Sequence, residues 1–276
     1  MSNNLKLINL PNLSILKNKI AIVTGSSRGI GKAIAVKLSQ HGVKVIVTAR
    51  TEVPGKFTPG TIYETVELIH NAGGEAFPIV CNIRDEANID HLISETLKKY
   101  KTIDILINNA GIGNYQSFQE TTLKQWELML DINIKAPIML MQKIIPTMIN
   151  NGAGSIVNIS SHAANNIFSS TLSADNTDEV KIIGQSYGAS KAALERLSWG
   201  LAAELGCHNI AVNVLKPLKP VLTEGFIAQR PDGDYSSWST PETMATAATI
   251  LAAQLTPEFF SGTSCTAEEL LKLYGN

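Results

Sequence analysis

The sequence predicts a single doubly wound α/β domain, a central parallel sheet with helices on both faces. Three observations predict it. Short apolar runs alternate with helix-period stretches from residue 20 almost to the end of the chain. Runs such as 20–23 (Ile-Ala-Ile-Val) and 45–47 (Val-Ile-Val) are apolar throughout, as strands buried on two faces are. No repeat and no linker divides the 276 residues, a length that a single α/β unit can bury around one sheet.

Taken in order, residues 1–18 interleave Leu and Ile with Asn, Pro and Lys and read as a short lead-in, with the fold starting at Lys19. Strand 20–23 ends at Thr24-Gly25, and apolar residues then recur at Ile30, Ile34 and Leu38 until Gly42 stops the helix. Strand 45–47 follows. A loop with Pro and Gly covers 50–60, and a helix over 61–71 turns Ile62, Val66 and Ile69 inward until Gly73-Gly74 ends it. Strand 76–80, a helix over 86–100 with Ile89, Leu92, Ile93 and Leu97 on its stripe, and strand 103–107 continue the alternation. One long helix is expected over 123–149, then strand 156–159. The polar stretch 162–185 carries no period. A helix over 186–205, strand 210–215, a Pro-rich loop over 217–231, a helix over 242–255 and a short strand and helix complete the chain.

Composition removes several classes of function. There are 23 Lys and Arg against 24 Asp and Glu, with no basic run, so no electrostatic footprint for nucleic acid or an acidic membrane exists. No stretch approaches the roughly 18 apolar residues of a membrane span. Cys81, Cys207 and Cys265 are odd in number and far apart, which suits neither a disulfide framework nor a metal knuckle; a reducing, cytoplasmic setting is expected. Asp175, Asp178 and Glu179 lack a His or a Gly-centred loop and read as a solvated acidic stretch, so no metal is expected. Charged residues make up 17%, below the usual level of about 25%, which permits self-association.

Three patterns carry chemistry. Thr24-Gly25-Ser26-Ser27-Arg28-Gly29-Ile30-Gly31 joins the first strand to the first helix, where backbone amides and the helix dipole can meet a pyrophosphate. Its spacing is G-x-x-x-G-x-G rather than G-x-G-x-x-G. After the second strand, where an acidic residue would hold a ribose 2′-hydroxyl, stand Ala49 and Arg50. With Arg28, that makes two guanidiniums able to grip a 2′-phosphate, which points to NADP(H) ahead of NAD(H); two surface arginines are the alternative. Finally, Tyr187 and Lys191 sit one helical turn apart on one face. His162, adjacent to Ser161, reads as a loop residue because neighbours on extended chain point opposite ways.

Together Thr24-Gly25-x-x-x-Gly29-x-Gly31, Asn108-Asn109-Ala110-Gly111, Asn133, Ser161 and Tyr187-x-x-x-Lys191 resemble, in order and setting, the short-chain dehydrogenase/reductase family with its Rossmann-type fold. The resemblance spans residue 19 to about residue 263. The stretches 59–63 and 260–262 are similar to the hydroxysteroid dehydrogenase-like branch. The resemblance implies that Tyr187 is the general acid and base toward a small carbonyl or alcohol substrate. Lys191 would lower its pKa and hold the nicotinamide ribose: a cation about 5 Å away at an effective dielectric of about 20 is worth roughly 3 kcal/mol, about two pK units. Ser161 would bind the substrate oxygen, and Asn133 a water in a proton relay, unless it is only a polar residue kinking its helix. Thr24, Gly25, Ser27, Arg28, Gly29, Ile30, Gly31, Arg50, Asn82, Ile83, Asn109, Ala110, Gly111, Pro217 and Thr223 would line the cofactor with Tyr187 and Lys191. A homo-oligomer, tetramer or dimer, is implied through the 123–149 and 186–205 helices.

The chain departs from the family pattern in three places. Asn82 stands where Asp is usual, Pro217-Leu218 replaces Pro-Gly, and the interval between Ser161 and Tyr187 is about twice the expected length. The segments 162–185 and 217–238 are therefore expected to form a substrate lid. A 3-oxoacyl thioester reductase and a nucleotide-binding scaffold without turnover are the competing readings; intact Tyr187 and Lys191 argue against the second.

Overall fold

The structure, a computed structural model, describes residues 12–55, 59–165, 184–229, 231–257 and 260–274. Its seven strands are β1 (Ile20–Thr24), β2 (Lys44–Ala49), β3 (Glu75–Val80), β4 (Ile105–Asn108), β5 (Gly154–Ile159), β6 (Ile210–Lys216) and β7 (Ser264–Thr266). They lie in the order β3-β2-β1-β4-β5-β6-β7, every neighbouring pair parallel. The winding leaves β1 toward one edge and restarts at β4 toward the other. A crevice therefore opens where the carboxyl ends of β1 and β4 diverge.

The helices in chain order are α1 (Gly29–Gln40), α2 (Ile62–Asn71), α3 (Glu86–Tyr100), α4 (Leu123–Leu130), α5 (Ala136–Asn151), α6 (Gln185–Leu205), α7 (Glu224–Gln229), α8 (Pro241–Ala252) and α9 (Ala267–Leu273). Alternate residues of each strand feed two separate cores, as a sheet covered on both faces requires. Ala21 and Val23 of β1 pack with Ile34, Leu38, Ile69 and Ile250 of α1, α2 and α8. Ile22, between them, faces Leu92, Ile144 and Leu205 of α3, α5 and α6. Leu16, in a short 3-10 turn before β1, is fully buried in the first core.

Several boundaries differ from the sequence expectation. β4 begins two residues later than expected because the Asp104 carboxylate accepts from the Ile20 amide at 2.9 Å, tying the chain to the start of β1. The single long helix over 123–149 is two helices separated by a π-helical turn, Asp131–Lys135, in which the Ala136 amide reaches back to the Asp131 carbonyl. Pro137 has no N–H to offer the Asn133 carbonyl four residues earlier, so one α-helical pair is missing at this turn. The Pro-rich loop over 217–231 contains α7. The helix expected over 242–255 runs Pro241–Ala252. Of the aperiodic stretch, residues 162–164 form a 3-10 turn; residues 166–183, with Asp175, Asp178 and Glu179, lie outside the described residues. Among the described residues, no cluster of three potential metal ligands occurs, and no helix is long and apolar enough to cross a membrane.

Candidate active site

The glycine turn is held by β4. Thr24 Oγ1 accepts from the Asn109 and Ala110 amides, both at 3.0 Å, and donates to the Ile107 carbonyl. The Asn109 carboxamide donates to the Thr24 and Gly25 carbonyls at 2.9 and 3.3 Å. Gly25 and Gly29 adopt φ values of 67° and 55°, the left-handed region that favours glycine. A Cβ at Gly31 would lie 2.4 Å from both the Gly25 carbonyl oxygen and the Asn109 side-chain nitrogen Nδ2. The backbone therefore packs closer than any side chain would allow, and α1 opens directly toward the crevice.

Beside this turn, Arg28 donates from Nη2 to Thr51 Oγ1 at 2.6 Å, and its Nε has no partner among the described residues. Burial, and next the charge of Arg50, hold the Arg28 pKa below its ordinary value, with Glu224 opposing. The Arg28 and Arg50 charges thus act on each other beside the turn, and Arg28 Nε is a buried donor without a partner among the described residues. That fits a dinucleotide carrying an additional phosphate. Asn82 is exposed and its carboxamide oxygen accepts from the Arg84 amide in a local turn, while Ile83 packs against the α3 side of the core.

A cleft of about 550 Å³ continues from the turn. Ile30, Asn109, Gly111, Ser161, Tyr187, Lys191, Pro217 and Thr223, all expected from the sequence, line it, and His162, Tyr115, Leu218, Val221 and Phe226 join them. Ser161 caps the 3-10 turn, its Oγ accepting from the Ala163 amide at 3.2 Å, and it hydrogen-bonds the Tyr187 phenol. Lys191 is 5% exposed and donates to the Ile159 carbonyl at 2.8 Å; its Nζ lies 5.9 Å from the centre of the Tyr187 ring. Asn133, in the π turn, sits behind the cleft. Its carboxamide clasps the Ile112 backbone at both ends, 3.0 Å each, and donates to Ser190 Oγ at 2.9 Å.

The chain belongs to the short-chain dehydrogenase family. The family pattern, short chain dehydrogenase, matches residues 19–232. Hydroxysteroid dehydrogenase-like protein 2 of Danio rerio is 32% identical over 96% of the chain. That alignment covers 61% of the relative, so the chain spans about three fifths of the length of the curated relatives it matches. A short-chain dehydrogenase from Mycobacterium thermoresistibile superposes with a TM-score of 0.82 at 29% identity, covering 95% of this chain and 89% of that one. A protein of Beutenbergia cavernae described as an NAD(P)-dependent gluconate 5-dehydrogenase, solved with NADP at low occupancy, gives 0.76 at 27%, covering 91% and 96%. The chain has the Rossmann-type fold of that family, whose members are nicotinamide-dependent oxidoreductases.

One expectation about Tyr187 is not met. Lys191 was expected to pull the Tyr187 pKa down. Instead burial raises it above the ordinary tyrosine value, the hydrogen bond from Ser161 offsets only part of that, and Tyr115 adds to the rise. The ammonium itself is pushed down to about 8 by burial, against the support of Glu195. Spacing along a helix shows that two groups meet but not how dry their meeting place is.

Three further residues escaped the sequence reading. Glu224, on α7, accepts from the Gly29 amide at 2.9 Å and pairs with Lys32, so a carboxylate stands on the first amide of α1. No local pattern announces it, because α7 is six residues long between prolines. Glu195 and Lys216 form a buried ion pair at 3.2 Å. Here a signal existed: Glu195 follows Lys191 by four, as Lys191 follows Tyr187.

Proposed function

We propose that the chain is an NADP(H)-dependent oxidoreductase acting between a carbonyl and a secondary alcohol, with Tyr187 as general acid and base. The observation that carries this reading is the meeting of Ser161, Tyr187 and Lys191 on one cleft wall, beside a glycine turn flanked by Arg28 and Arg50. When bound, the nicotinamide supplies or accepts the hydride at its C4. Ser161 Oγ donates to the substrate oxygen, and Tyr187 Oη gives that oxygen its proton as the carbonyl carbon is reduced. The raised pKa keeps Tyr187 protonated through neutral pH, which suits reduction. Lys191 Nζ, beside Gly111 and facing the Tyr187 ring, would supply the cation that holds the cofactor ribose. Asn133 is placed to seat a relay water through the carbonyl that Pro137 leaves without an α-helical partner.

Ile30, Ile112, Val221, Leu218, Phe226 and Tyr115 give the cleft apolar walls, which favours an apolar ketone over a polyol. Segments 162–185 and 217–238 act as the lid over it, of which 166–183 lies outside the described residues. The active form is a homo-oligomer assembled through α4, α5 and α6, working in the cytoplasm.

Nicotinamide fluorescence during titration with NADPH and NADH tests the reading. Wild-type protein is expected to bind NADPH at least tenfold more tightly than NADH, and Arg50→Ala to lose most of that preference, since a guanidinium–phosphate contact is worth about 1.5–3 kcal/mol. Equal affinity for both nucleotides, unchanged by Arg50→Ala, would overturn the NADP(H) assignment; no binding of either would overturn the enzyme.

A further inference from the structure

Glu195 is 1% exposed, on the face of α6 that carries Tyr187 and Lys191. Its oxygens accept from Ser160 Oγ at 2.7 Å, Ser264 Oγ at 2.8 Å and Lys216 Nζ at 3.2 Å to each. Lys216 also donates to Asn165. Two of these partners, Ser160 and Lys216, adjoin the cleft. Ser160 precedes Ser161, Lys216 precedes Pro217, and Lys191 is one turn before Glu195. A carboxylate only accepts, and here every neighbour donates.

Such a pair contributes little net stability, because desolvating two charges cancels most of their attraction. What it does fix is geometry. We propose that the Glu195–Lys216 pair is a positioning element for the reaction inferred above. It clamps the ends of β5 and β6 to α6, so that Ser161, Lys191 and the Pro217 corner keep one arrangement. The inference rests on that reading of the cleft, and neither residue touches substrate. A displacement of about 1 Å in such a site costs about a hundredfold in rate.

The test compares Glu195→Gln, Lys216→Met and the double variant Glu195→Gln/Lys216→Met in the full chain. The readouts are thermal unfolding, the NADPH dissociation constant, kcat and KM for NADPH-dependent reduction of a simple aryl ketone, and amide exchange at Leu218 and Leu222. Those two amides donate to Glu268 and to the Ser239 carbonyl, reporting on the corner without catalysis. Each single variant leaves a buried charge alone and is expected to melt well below wild type. The double variant is expected to regain most of that loss yet keep kcat about tenfold or more below wild type, with NADPH affinity within threefold and the Leu218 and Leu222 amides exchanging at least tenfold faster. Ser160→Ala, which leaves the charges paired but removes one buried donor to Glu195, is expected to lower kcat several-fold with a smaller loss of melting temperature than either single charge variant, and it decides the matter if the double variant does not fold. A double variant that regains wild-type kcat and exchange overturns the proposal, leaving the pair a structural tie. If wild type binds NADPH but reduces no ketone, the reading of the cleft fails, while the exchange data still decide the clamp.

Discussion

At the scale of single residues the cleft is built from groups held against their preference. Lys191 is 5% exposed, its ammonium faces a carbonyl, and burial lowers its pKa from 10.5 to about 8. The folded state therefore binds fewer protons at this site than the unfolded chain between about pH 8 and 10.5. The destabilisation is complete below pH 8 and is relieved as pH rises toward 10.5. Lys191→Met is accordingly expected to raise the melting temperature at pH 7, by about 2–4 °C for each kcal/mol regained, with a gain that shrinks above pH 8. It should also cut carbonyl reduction by about 10²–10⁴-fold, the range of an acid–base component. In wild type, kcat/KM for reduction should fall above pH 8, as Lys191 loses its charge while Tyr187, its own pKa raised by burial, still holds its proton. Parallel melting and pH–rate curves check both; a variant less stable at pH 7 would show that the ammonium stabilises the fold. The meeting of Tyr187 and Lys191 was legible from their spacing. The shift of each was not, because desolvation depends on Ile159, Tyr115 and Gly111, which arrive from other parts of the chain.

At the scale of elements, regular segments were readable and interrupted ones were not. β1, β2, α1 and α3 follow from apolar runs and a 3.6-residue stripe. The π turn at Asp131–Lys135 carries the same apolar stripe as its flanks, and only Pro137 hints that pairing slips there. α7 hides because Pro217, Pro220 and Pro231 surround a single helical stretch. That hidden element brings Glu224 onto the Gly29 amide and Lys32, the donors a helix N-terminus offers an anion. Those contacts hold its carboxyl below the usual glutamate pKa although burial pushes the other way, so it is charged at neutral pH. A phosphate approaching Gly29 meets like charge and an occupied donor. Glu224→Gln is therefore expected to tighten NADPH binding about three- to tenfold, a change of about 0.7–1.4 kcal/mol. The gain should shrink at high salt as the lost repulsion is screened. Fluorescence titration at two salt concentrations checks it, and unchanged or weaker binding would mean that Glu224 swings clear at no cost.

At the scale of the molecule, the doubly wound topology was legible because a fully parallel sheet must be apolar on both faces, a property written in the strands themselves. What the chain does with its outer surface is less local. α4 and α6 pack together and leave Leu123 81%, Leu130 42% and Trp199 42% exposed. Charge is sparse, with 17% Asp, Glu, Lys and Arg. Covering apolar surface returns about 25 cal/mol per Å², and an isologous contact counts each patch twice, which is the basis for expecting self-association through these helices. The wild-type protein is expected to sediment at micromolar concentration as a dimer or tetramer. Trp199→Glu, which places a charge where each copy would meet its partner, should shift it to the monomer mass. Because Trp199 is already 42% exposed in one chain, the substitution should leave the fold of the monomer intact, so circular dichroism separates dissociation from unfolding. A wild-type protein that sediments as a monomer would remove the assembly; an oligomer unaffected by Trp199→Glu would move the interface to another face.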